Sequence, residues 1–201
     1  SRMSTGKLRV LVPGGTGYIG GRVAEHLAAQ GHDVCVCSRR EAPWAGPSKS
    51  IKVQKVNWRD REQLDQLMKL CDAVVMLAAT NEIESAQDPV AASESTSTQC
   101  MAWLASAARK GKKQFIYFST IHVYGVNDGT VLSEACEPRP VHPYASTHLA
   151  GEVFVRSYHR QGKVDATIFR LSNAFGSPVD PGVNRWTLLV NDLARQAVLH
   201  G

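Results

Sequence analysis

Between Leu8 and Gly21 the chain reads LRVLVPGGTGYIGG: an apolar run ending at Pro13, a glycine cluster, then the start of a helical pattern. Gly15-Thr16-Gly17-Tyr18-Ile19-Gly20 has the spacing G-x-G-x-x-G, and Gly14, Gly17 and Gly20 also recur at every third position. Glycines placed between a strand and a helix let the chain turn sharply. They also let the backbone approach a pyrophosphate and the helix pack tightly on the strand. The helix N-terminus beyond them offers N–H groups and a partial positive charge to the phosphate. Gly14, Gly17, Tyr18, Ile19 and Gly20 are therefore the expected pyrophosphate-binding residues of a dinucleotide site. The alternative is a plain glycine turn.

Three later segments fit the same chemistry. The second strand pattern, Asp33–Cys37, runs into Ser38-Arg39-Arg40. In a dinucleotide fold the residue after that strand meets the adenosine ribose, and an acid there repels a 2′-phosphate. A hydroxyl and two guanidiniums suit a phosphate dianion instead, since Arg forms paired, charge-assisted hydrogen bonds to it. NADP is the expected cofactor. NAD stays open if the arginines are ordinary solvated charges, and Glu41, next in line, weighs that way. Asn57 and Trp58 close the third strand, where an amide and a flat apolar ring can flank an adenine. Leu77-Ala78-Ala79 closes the fourth, where small residues let backbone pass close to the nicotinamide ribose and phosphates. Packing at strand ends is the alternative for all five.

The elements that must position these residues alternate along the chain. Strand patterns cover Leu8–Val12, Asp33–Cys37, Ile51–Val56, Ala73–Ala78, Gln114–Ser119 and Val164–Arg170. Helical patterns cover Tyr18–Gln30, Asp60 (as a cap) to Leu70, Ala86–Lys110, Tyr144–Gln161 and Trp186–Leu199. A polar loop fills Arg40–Ser50. Such alternation with short connections predicts an α/β fold, a doubly wound parallel sheet of the Rossmann type. The right-handed crossover rule makes 3-2-1-4-5-6 the simplest strand order.

Composition narrows the class further. The 201 residues suit one large domain, or one domain and a fragment. No apolar run approaches the roughly 20 residues of a membrane span, and no signal peptide is visible, so no membrane partner is expected. The five cysteines lack C-x-x-C spacing and fall mostly in core-like segments, which fits a reduced, cytoplasmic protein. Cys35 and Cys37, on one face of a strand, read as small core residues. The seven histidines form no ligand pattern, so no metal is expected. A net charge of +5 allows a phosphate-rich ligand and is too scattered for nucleic acid.

Three further motifs, Phe115–Gly125 (FIYFSTIHVYG), His142–Glu152 (HPYASTHLAGE) and Phe169–Gly176 (FRLSNAFG), follow the glycine loop in order. With it, they resemble the extended short-chain dehydrogenase/reductase family, of the NAD(P)-dependent nucleotide-sugar epimerase and dehydratase type. The resemblance spans nearly the whole chain. It implies a Ser/Thr–Tyr–Lys constellation, with Thr120 (Ser119 just before it) and Tyr144 in the first two places. The tyrosine would be the general base or acid at a sugar hydroxyl, and Thr120 would position the reacting oxygen. A phenol with a pKa near 10 needs a nearby positive charge to favour the phenolate. The family places a Lys one helical turn on, where it also bonds the nicotinamide ribose. Here that position holds His148, which is shorter and mostly neutral at pH 7 when unperturbed. Three readings stay open: a working substitute, hydride transfer slowed or lost with binding retained, or an engineered change or another route to a charge near Tyr144. The family's helical Asn after Asp-Pro is also missing: Asp88-Pro89 is followed by hydroxyl residues at Ser95–Thr98. Asn173 would contact the substrate, with local turn hydrogen bonds as the alternative. His122 is open between facing the cleft and ending a strand, and Glu134 and Glu152 read as structural.

The expectation is therefore an NADP-preferring enzyme acting on a nucleotide sugar by transient hydride transfer. The alternative is a non-catalytic NADP(H)-binding sensor or scaffold. Residues 1–170 are read as the NAD(P)-binding domain, and residues 171–201 as the start of a truncated substrate lobe. By the same resemblance the Ala86–Lys110 and Tyr144–Gln161 helices could pair across a homodimer. Met101, Leu104 and Ala105 suit that contact and equally suit packing on the sheet.

Overall fold

Each strand sends successive side chains to opposite faces, and both faces are apolar. In the computed structural model, which describes residues 6–111, 113–126, 129 and 131–200, this gives one sheet with helices on both sides. Its strands are β1 (Arg9–Pro13), β2 (Asp33–Ser38), β3 (Lys52–Lys55), β4 (Ala73–Met76), β5 (Gln114–Thr120) and β6 (Asp165–Leu171). All pair in parallel, in the expected order β3-β2-β1-β4-β5-β6. Val10 and Val12 of β1 and Ala73 and Val75 of β4 face one way, with Val34 and Val36. Leu11, Val74 and Met76 face the other, with Phe115 and Tyr117.

Helices α1 (Tyr18–Ala29), α2 (Arg61–Lys69), α5 (Gln99–Arg109) and α6 (Pro143–Arg160) cover these faces. Ala24, Val23 and Leu27 of α1 pack on the first, and Leu64, Met68, Trp103, Leu104 and Val155 on the second. Leu104 is wholly buried in the chain's own core and is not available to a second copy. Asp60 caps α2 as expected, its carboxylate accepting from the Gln63 N–H at 3.0 Å. The five cysteines are free thiols. Among the described residues no helix is long and apolar enough to cross a membrane.

Two helical expectations need correction. The Ala86–Lys110 helix is not continuous: α3 (Glu82–Gln87) stops at Asp88, and α4 (Pro89–Ser93) begins anew. Pro89 has no N–H and pushes Asp88 out of the helical region, to φ −138°, ψ 87°. Asp88 then caps the new helix by accepting from the Ala91 N–H at 2.9 Å. A π-turn, Glu94–Thr98, separates α4 from α5. There the Ser95 and Ser97 hydroxyls bond the Ala91 and Ser93 carbonyls one turn back, competing with main-chain amides. The last helix, α7 (Leu189–His200), starts three residues later than Trp186. The Arg185 carbonyl is taken by the Leu188 N–H and the Asn191 side chain, so regular pairing begins beyond it. Strand limits move by one or two residues.

Candidate active site

Gly14, directly after β1, has φ +83°. A Cβ there would lie 2.5 Å from the Ala78 backbone nitrogen, so the ends of β1 and β4 meet only because position 14 is glycine. A Cβ on Gly20 would strike the Gly14 carbonyl oxygen, which is how α1 sits directly on the turn. Gly17 is the N-cap of α1; no side chain caps it and no acid stands in the first turn. The dipole of this helix therefore has no anionic partner of its own there. The Tyr18 hydroxyl points elsewhere, donating to the Gly176 carbonyl at 2.7 Å.

Beyond the carboxyl ends of the strands lies a cavity of about 860 Å³. It brings together Gly14, Gly17, Tyr18, Ile19, Gly20, Ser38, Arg39, Arg40, Trp58, Leu77, Ala78, Ala79, Thr120, Tyr144, His148 and Asn173. Of the residues expected at the site, Asn57 is not brought to its wall. Its side-chain oxygen accepts from the Arg59 N–H at 3.1 Å and its own N–H donates to Gln63, so it shapes the turn before α2. Trp58 does line the cavity, with the Arg59 guanidinium 4.1 Å from its ring centroid. The hydroxyl run after Pro89 is also in use: Ser95 lines the wall and holds the Thr80 hydroxyl at 2.7 Å, while Thr96 accepts from the Thr80 N–H.

His142 caps α6 through Nδ1, which accepts from the Ala145 N–H at 3.2 Å, and Pro143 opens the helix. Tyr144 and His148 thus fall on one face. Their ring centroids are 4.6 Å apart, edge to face. His122 lies 6.1 Å from Tyr144 and lines the cavity, and His142 lies 6.0 Å away, so three imidazoles surround one phenol. Burial raises the pKa of Tyr144 above the ordinary value and the Glu82 carboxylate adds to this; the Thr120 hydroxyl and the Arg185 cation work the other way.

His148 is only 4% exposed. Burial lowers its pKa to about 4, against the pull of the Glu152 charge and the Phe118 carbonyl. Its Nε2 has no well-formed hydrogen bond, and its Nδ1 faces the Tyr117 hydroxyl at 3.4 Å. At neutral pH the imidazole beside Tyr144 is therefore uncharged.

Beneath the site, Glu152 is fully buried and chelated by Arg170, with Nε–Oε1 2.9 Å and Nη2–Oε2 2.7 Å, and is also paired with Arg156. Burial opposes its ionisation, yet the Arg170 contacts hold its pKa below the usual value. The Arg170 guanidinium stacks 4.5 Å from the Tyr124 ring centroid, tying β6 and α6 to the turn after Thr120. Glu82 and Arg185 are cavity residues that sequence reasoning missed. Neither belongs to a motif, and their separation in sequence gives no signal that they meet.

This fold and cavity define an α/β protein of the dinucleotide-binding Rossmann type. The chain belongs to the NAD dependent epimerase/dehydratase family, whose sequence model matches residues 10–198. It is 28% identical over 183 residues to a UDP-glucose 4-epimerase of Rhizobium meliloti (strain 1021), covering 88% of this chain and 55% of that protein. It is 28% identical over 180 residues to a dTDP-glucose 4,6-dehydratase of Mycobacterium tuberculosis (strain ATCC 25618 / H37Rv), covering 84% and 54%. The chain thus spans about half the length of these curated relatives. In fold it resembles a dTDP-glucose 4,6-dehydratase from Streptomyces venezuelae, solved with NAD and TYD bound. That match has a TM-score of 0.82 at 23% identity, over 96% of this chain and 63% of the other.

Proposed function

We propose that this chain is the dinucleotide-binding part of an oxidoreductase that acts on a nucleotide sugar by transient hydride transfer, as an epimerase or dehydratase. The observation that carries this reading is the meeting of the Gly14–Gly20 turn, Thr120 and Tyr144 on one cavity. The cavity fits a dinucleotide: the N-terminus of α1 opens on it through Gly17, Tyr18 and Ile19, and the first turn of that helix has no anion of its own. The cofactor, when bound, supplies a nicotinamide ring that can accept and return hydride. Gly14, Gly17, Gly20 and the Tyr18 and Ile19 amides hold the pyrophosphate. Trp58 would flank the adenine, and Leu77–Ala79 would lie along the nicotinamide ribose. Tyr144 takes and returns the proton of the reacting hydroxyl, Thr120 orients the same oxygen, and Asn173 contacts the sugar nucleotide. Residues 171–201 begin the substrate lobe, and the protein works in the cytoplasm, where free thiols persist.

Arg39 and Arg40 line the cavity without an ion-pair partner among the described residues, which supports NADP over NAD. Titration of the protein with NADPH and NADH tests this: tighter binding of NADPH is expected, and a strong preference for NADH refutes it. Tyr144→Phe should abolish turnover of UDP- and dTDP-hexoses while leaving dinucleotide binding intact. Retained turnover rejects the assigned chemistry. The neutral, buried His148 favours one second reading, a binding module without turnover, which predicts no activity at any pH.

A further inference from the structure

Resting on that reading, the stretch that carries Asn173 is the substrate wall of the cavity, and it has no regular structure of its own. Between β6, which ends at Leu171, and α7, which begins at Leu189, the chain forms no strand or helix among the described residues. Ser172, Asn173, Ala174, Arg185 and Leu188 of this stretch nonetheless line the cavity. Backbone outside helices and sheets keeps one conformation only where other groups take its N–H and C=O. Here a buried pair does so. Asn191 of α7 accepts from the Gly176 N–H through Oδ1 at 2.9 Å. Its Nδ2 donates to the Tyr18 hydroxyl at 3.1 Å and to the Arg185 carbonyl at 3.2 Å. The Tyr18 hydroxyl donates to the Gly176 carbonyl, which closes a ring of bonds through Gly176, Asn191 and Tyr18. Asn191 is 8% and Tyr18 6% exposed. Turning the amide over would set its carbonyl against that of Arg185 and its NH2 against the Gly176 N–H, so one orientation is fixed. Arg22 adds a bond to the Ser177 carbonyl at 2.6 Å, and Val179 packs so closely that a Cβ on Gly21 would lie 3.1 Å from its own. Tyr18, Gly21 and Arg22 all belong to α1.

We propose that Tyr18 and Asn191 are a positioning pair for the nucleotide sugar: they fasten the backbone on both sides of the substrate wall to α1, the helix whose N-terminus opens on the same cavity. The Tyr18 hydroxyl is fully engaged in this ring, so any phosphate contact of Tyr18 is through its main-chain amide. A buried polar network in which every group is paired specifies a single arrangement, which is what a wall without helix or strand requires. Neither side chain of the pair touches the substrate; each acts through the backbone it holds. Thr120 and Tyr144 stand on β5 and α6, outside this stretch. Loss of the pair therefore weakens substrate binding without moving the reacting groups, which raises KM and spares kcat.

The test joins amide hydrogen exchange, which needs no ligand, to kinetics with UDP-glucose and dTDP-glucose, both on the full-length protein. Asn191→Leu should speed exchange about tenfold at Gly176 and its neighbours and leave β1 and β4 protected. It should raise KM for the nucleotide sugar about tenfold, with kcat and NADPH binding within about twofold of the wild type. Tyr18→Phe keeps the ring and the main-chain amide and should act in the same direction. The double variant should be no worse than Asn191→Leu alone, because both residues serve one ring of bonds. Unchanged exchange at Gly176 overturns the proposal, as does faster exchange spread over β1 and β4, which marks a general loss of stability. A fall in kcat with KM unchanged also overturns it. If exchange rises as expected but the wild type neither binds nor turns over either nucleotide sugar, the fastening of the wall stands and the assigned reaction fails.

Discussion

His148→Gln separates a buried neutral imidazole from a working cation by its effect on acid stability. In the folded chain His148 titrates at about 4, against an ordinary value of 6.5. As pH falls below about 6.5, the unfolded chain takes up a proton that the folded one refuses until pH is near 4. Stability therefore falls with pH across that window, and all of the penalty is present below it. One pK step is worth about 1.4 kcal/mol, so the full cost is about 3 kcal/mol. His148 is buried enough for solvent to screen little of this. Glutamine is similar in size, can still face the Tyr117 hydroxyl and does not titrate. Urea unfolding of both proteins from about pH 7 to about pH 4 isolates the term, because the carboxylates lose their contribution equally in each. The wild type should lose about 3 kcal/mol more than the variant across the range. Parallel curves would refute the reasoning. His148 would then be free to charge beside Tyr144.

Other consequences can be measured directly. Glu152→Gln removes the charge that Arg170 and Arg156 share, leaving the Arg170 guanidinium poorly matched in a nearly buried place. It should cost about 3 to 5 kcal/mol in chemical denaturation, and a loss under about 1 kcal/mol would mean that the network is dispensable. Gly14→Ala forces a Cβ into a left-handed backbone and against Ala78. Calorimetry should show at least about tenfold weaker dinucleotide binding with the circular dichroism spectrum kept, since a strained turn displaces the phosphate-facing amides.

Much of this organisation is legible in one dimension because its causes are local. Alternating apolar runs fix which residues of β1 and β4 face each way, and the glycine spacing fixes a strand–turn–helix that suits a pyrophosphate. Asp60 announces a cap because its carboxylate satisfies an amide three residues away. The same locality misled at Ala86–Lys110, where helical composition outweighed the break that Asp88-Pro89 imposes. At Asn57 the sequence pattern did not show the turn, in which the side-chain oxygen accepts from the Arg59 N–H.

The sequence by itself determined the doubly wound sheet and the glycine turn, since both depend on side-chain type and short-range spacing; Thr120 and Tyr144 stand out in it only through the family resemblance. The tertiary structure alone decided that His148 is neutral, that three imidazoles ring Tyr144, and that Arg185 reaches the same cavity from beyond β6. Charge state depends on desolvation and on neighbours far apart along the chain, and neither exists until the chain has folded around them.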